Sequence, residues 1–116
     1  MNHSDFYILL ALSEGERHGY AIMQEVAEHS GGEIRLGPGT LYGAIKRLLA
    51  AGYIEETDER PDPELDDSRR RYYHLSGSGR KAVAAEAERL ASLVRLAQSR
   101  RILDKKALVI ETGGQS

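Results

Sequence analysis

Along the first half of the chain, apolar residues return at helical spacing in three separate blocks before the pattern changes to a two-residue alternation. Residues 4–12, Ser-Asp-Phe-Tyr-Ile-Leu-Leu-Ala-Leu, set a polar capping candidate before an apolar run. This predicts a mostly buried first helix, ended by the turn at Ser13-Glu14-Gly15-Glu16. Residues 20–29 put Ile22, Met23 and Val26 on one face and Gln24, Glu25 and Glu28 on the other, a second helix that Ser30-Gly31-Gly32 ends. A third begins at Pro38, whose missing N–H is not needed at a first helical position. Leu41, Ile45, Leu48 and Leu49 form its apolar face, and Gly52 supplies a left-handed stop after residues 38–51.

Residues 53–57 and 70–75 are short and carry Tyr and Ile, and Tyr73 and Leu75 alternate with Tyr72 and His74 as a strand requires. They predict a β-hairpin with Tyr73 inward and Tyr72 at the surface. The connection, residues 58–69, is long, acidic and contains Pro61 and Pro63, which favours an extended tip over a tight turn. Ser76-Gly-Ser-Gly79 reads as a break, followed by a fourth helix from Arg80 to about Leu103 that is rich in Ala, Glu, Arg and Leu. Val83, Ala87, Leu90, Val94 and Ala97 recur at spacings of four and three, the seam of a coiled coil, with Leu93 and Leu96 widening the stripe. Residues 105–116 are expected to form a frayed tail.

A chain of 116 residues suits one compact domain with one added element, here residues 1–76 followed by a helix over 77–104. The absence of cysteine excludes disulfides, thiolate metal sites and cysteine nucleophiles. No apolar run approaches the roughly 18 residues of a membrane span and no signal-type leader is visible, so a soluble, cytoplasmic protein with no membrane partner is expected. The net charge of −2 is unevenly placed. Between Glu55 and Asp67 eight acids face one base, so the segment holds −7 and the remainder +5. A locally basic surface is therefore compatible with an acidic total.

Three helices, two strands and a last helix are the order of a winged helix-turn-helix: mainly α with a small β-hairpin, extended by a long C-terminal dimerisation helix. In that arrangement the third helix lies in a DNA major groove and the hairpin is the wing. About 14 residues at roughly 1.5 Å each cover about 21 Å, enough for one half-site. The outward positions Thr40, Tyr42, Gly43, Lys46 and Arg47 offer hydroxyls, a close approach and two cations. Free amides at Gly39 and Thr40 suit a phosphate. Arg69, Arg70 and Arg71, at the base of the wing's second strand, suit a phosphate backbone, or else a solvated strand neutralising the acids beside it.

His18-Gly19-Tyr20-Ala21-Ile22, Pro38-Gly39-Thr40-Leu41-Tyr42 with Ile45-Lys46-Arg47-Leu48 and Gly52-Tyr53-Ile54, and Arg71-Tyr72-Tyr73-His74-Leu75-Ser76 resemble the PadR family of transcriptional regulators over about residues 5–100. The resemblance implies a homodimeric winged-helix repressor of operator DNA, with the fourth helix as dimer element. It also implies that Tyr20 lies near the DNA backbone and that small hydrophobic or aromatic effectors bind near the dimer interface. The last helix is short for the family, and the wing tip is unusually acidic.

Other readings stay open beside this one. The four histidines lack metal-ligand spacing, and the acidic tip lacks the glycine and terminal glutamate of a calcium loop, so no metal and no cofactor is expected. No nucleophile, base and stabiliser converge in the sequence, which argues against an enzyme. A winged helix used for protein contacts, through its acidic tip and long helix, is the alternative to DNA binding. The apolar stripe of the fourth helix could equally fold back on its own domain instead of pairing with a second chain.

Overall fold

A capped helix opens the chain in the computed structural model, which describes residues 1–57 and 71–104. In order the elements are α1 (His3–Leu12), β1 (Arg17–His18), α2 (Gly19–His29), α3 (Pro38–Ala50), β2 (Ile54–Glu56), β3 (Tyr72–Leu75) and α4 (Gly77–Ser99). The expected frayed tail and the whole acidic connection, residues 58–69, lie outside the described residues.

The cap of α1 is Asn2, whose side chain accepts the Asp5 N–H at 2.7 Å, rather than Ser4. Helix α2 is capped by His18, whose Nδ1 accepts from the Ala21 N–H at 3.3 Å. Pro38 occupies the start of α3 as expected, and Gly52, at φ +79°, lies just beyond its C-terminal cap. A side chain there would strain the turn that sends the chain into β2.

Ile8, Leu9 and Leu12 of α1, Ile22 and Val26 of α2 and Leu41, Ala44, Ile45 and Leu48 of α3 meet in one apolar core, closed by Ile54, Tyr73 and Val83. The core belongs to a compact unit, Met1–Ala84, that includes the first turns of α4. Val83 therefore packs inside its own chain, 7% exposed. This corrects its assignment to a dimer seam: the stripe begins one position too early, because burial within the head and burial against a partner leave the same periodic signature.

The expected hairpin is the larger part of a three-stranded antiparallel sheet in the order β1-β3-β2. Ile54 faces Leu75 and Glu56 faces Tyr73 across β2 and β3, and Arg17 faces Tyr73 across β1 and β3. Tyr73 is buried, as the alternation predicted, whereas Tyr72, expected at the surface, is half-buried. Strand β1 escaped the sequence reading because two residues carry no alternation.

The Ser76-Gly-Ser-Gly79 segment follows the end of β3 at Leu75, as expected of a strand break, and also starts α4 at Gly77, three residues ahead of Arg80. The Ser76 hydroxyl accepts the Gly79 N–H at 2.9 Å and donates to the Gly52 carbonyl at 2.6 Å, while the Arg80 N–H reaches the Ser76 carbonyl at 2.9 Å. A serine cap offsets the poor helix propensity of two glycines. In the second unit, from Ala85 onward, Arg89 grips Glu86 through two hydrogen bonds of 3.0 and 2.6 Å. This pairing, a hydrogen bond first and charge second, raises the Arg89 pKa.

Candidate nucleic-acid interface

Helix α3 divides cleanly. Leu41, Ala44, Ile45 and Leu48 are buried, whereas Gly39, Thr40, Tyr42, Gly43, Lys46 and Arg47 are exposed. The five outward positions expected on this helix, and Gly39 before them, are thus all exposed. No side chain caps the N-terminus, where Gly37 is the N-cap, so the first-turn amides remain available to an anion.

Tyr42 is less free than its polar neighbours suggested. Its hydroxyl end rests over Gly19, the first residue of α2: a Cβ at Gly19 would lie 2.5 Å from Oη and 2.9 Å from Cζ. Only glycine lets the two helices approach this closely, and Tyr42 remains 39% exposed. It both packs α3 on α2 and presents part of its ring outward.

Tyr20 is 62% exposed beside this junction. The His18 ring stacks near it, with centroids 6.4 Å apart at 20°, and meets Tyr72 edge-on at 5.5 Å. His18 thus links the start of α2 to the central strand, a role the sequence reading missed. The available signal was its place directly before a helix, where an acceptor is wanted.

Arg47 has a partner 42 residues away: its Nη2 donates to Asp5 Oδ1 at 2.9 Å. Asp5 was not anticipated either. At the wing base, Arg71 lies 3.7 Å from Glu56, and Arg69 and Arg70 fall outside the described residues. Burial, and then the negative charge of Glu56, push the Tyr73 phenol above its usual pKa. His74 bridges the outer face of the wing, with Nδ1 3.0 Å from Thr57 Oγ1 and Nε2 3.1 Å from Glu55 Oε1.

On α4 the remaining stripe positions differ in exposure. Leu90, Val94 and Ala97 are half-buried, Ala87 is exposed, and Leu93 and Leu96 are each 49% exposed. Among the described residues no three His, Cys, Asp or Glu side chains gather as metal ligands, and no helix is long and apolar enough to cross a membrane.

Comparison with known proteins places these features in a wider set. A family model described as the transcriptional regulator PadR-like family matches residues 8–85. A 37.1 kDa protein of transposon TN4556 from Streptomyces fradiae is 37% identical over 92 residues, which cover 79% of this chain. The chain spans only 24% of that relative's length. The transcriptional regulator Rv3488 of Mycobacterium tuberculosis is 33% identical over 89 residues, 77% of each chain. Among solved structures, a transcriptional regulator from Clostridium thermocellum superposes with a TM-score of 0.68 at 26% identity, covering 84% of this chain and 88% of that one.

Proposed function

Because the chain belongs to the PadR-like family of transcriptional regulators, we propose that it binds operator DNA as a homodimer and represses the genes it controls. The observation that carries this reading is the exposed side of α3, where Thr40, Tyr42, Gly43, Lys46 and Arg47 stand together above a face on which Leu41, Ala44, Ile45 and Leu48 are buried. A helix so divided fits a major groove with its polar side inward to the bases. Lys46 addresses a base edge or phosphate, the amides of Gly39 and Thr40 a phosphate, and Tyr20 the backbone beside them. Arg71, with Arg69 and Arg70, adds charge at the wing base that strengthens binding without reading sequence.

The dimer forms through Ala87, Leu90, Leu93, Val94 and Ala97 of α4, a stripe whose half-exposed leucines need a cover. A small hydrophobic or aromatic effector binds near that interface, and the protein works in the cytoplasm. Selection of bound duplexes from a random pool tests the core of the reading. We expect one enriched, two-fold symmetric sequence and, in a gel shift with it, a loss of about 1–3 kcal/mol of binding for Lys46→Ala. A pool that enriches nothing would overturn DNA recognition and leave a protein-contact module.

A further inference from the structure

Arg47 and Asp5 form a pair in which the two ends are held very differently. The Asp5 side chain is 13% exposed and that of Arg47 58%. Asp5 sits in the first turn of α1, where the free amides and the helix dipole favour a negative charge, and its own N–H is fixed by Asn2. The carboxylate is thus the fixed end. The guanidinium engages it through Nη2 alone at 2.9 Å, one of the five N–H donors an arginine carries.

Gly43 stands one turn before Arg47 on the same exposed side of α3. Long helical side chains lean toward the N-terminus over the residue four positions earlier. At Gly43 that position is bare, and a Cβ built there would meet nothing within 4 Å. A lane along the outer surface of α3 is therefore open to Arg47 once it leaves Asp5.

We propose that Asp5 is an internal competitor for Arg47: its carboxylate occupies the guanidinium in the free protein, and a DNA phosphate replaces it in the complex. This rests on the DNA-binding reading above and adds a second position for one of its cations. The exchange has a distinct electrostatic signature. A free cation that neutralises a phosphate adds about 0.9 to the slope of log affinity against log salt, through counterion release. A cation taken from an internal carboxylate adds much less, because the vacated carboxylate gathers a counterion in return.

Asp5→Asn keeps the shape and removes the competing charge. With the full chain and the duplex enriched by selection, Asp5→Asn should steepen the salt slope by up to about 0.9 per bound chain. It should also tighten binding at low salt by roughly two- to five-fold, the scale of one exposed ion pair. Arg47→Ala should barely alter the slope in the wild-type background and remove the whole gain in the Asp5→Asn background.

Wild-type slope and affinity in Asp5→Asn, or equal effects of Arg47→Ala in both backgrounds, would overturn the competitor while leaving DNA recognition intact. A wild-type chain that enriches no duplex overturns both. Thermal melting of each variant controls for folding, and Asp5→Ser replaces Asp5→Asn, with the same criteria, if the latter melts early.

Discussion

Helices α3 and α4 are both amphipathic, yet they use their apolar faces in opposite ways. Leu41, Ile45 and Leu48 of α3 are each at most 3% exposed, so all of its apolar face but Leu49, 37% exposed, is consumed within the chain. Beyond Ala84, Leu93 and Leu96 of α4 keep about half of their surface. A helix that has spent its apolar face on its own core can give its polar face to a ligand of any charge pattern. A helix that has not done so keeps an apolar surface, which the proposed dimer would cover. The same periodicity therefore carries different functional meanings, set by what the rest of the chain supplies.

Changes to the buried and exposed stripes separate the two cases most sharply. Ile45→Ala should destabilise the fold by about 2–5 kcal/mol, since it leaves a cavity among α1, α2 and α3; urea titration followed by circular dichroism checks it. Leu93→Arg should cost the fold less than about 0.5 kcal/mol, as expected for an exposed site. In sedimentation the same variant should instead halve the mass of the proposed dimer. A large stability loss with unaltered mass would show that α4 serves its own chain only.

Gly19→Ala should cost about 1–3 kcal/mol through overpacking against Tyr42, read by thermal melting. Tyr42→Ala in the same chain should recover part of that loss, because the obstructing ring is gone. Without recovery, the closeness of α2 and α3 does not depend on this pair. Apart from Leu93→Arg, whose main effect is on mass, the smallest loss of stability is expected at the start of α4. Ser76→Ala should cost about 1 kcal/mol, the usual worth of a serine cap, also by melting.

Much of α3 was legible beforehand because three signals coincide in it: a proline start, a 3.6-residue apolar period and a glycine just past its end. The exposed side proposed as its contact face follows from that period alone. The inward Tyr73 was legible for the same reason at a period of two. The start of α4 was not, because glycine propensity is local while the Ser76 cap depends on a hydroxyl orientation that composition does not encode. Neither was the Asp5–Arg47 pair: a contact across 42 positions leaves no periodic trace in one sequence. Val83 marks the remaining ambiguity, since hydrophobic spacing tells that a face is covered and not by what.

The Ser76 hydroxyl joins the carbonyl of Gly52, two residues past the end of α3, to the amide of Gly79 in the first turn of α4. One oxygen atom is thus a rivet between two levers. A displacement at the root of α4 is coupled to the tail of α3 through these two hydrogen bonds in series. Strain entering through one helix root is felt at the other unless one of these two hydrogen bonds gives way.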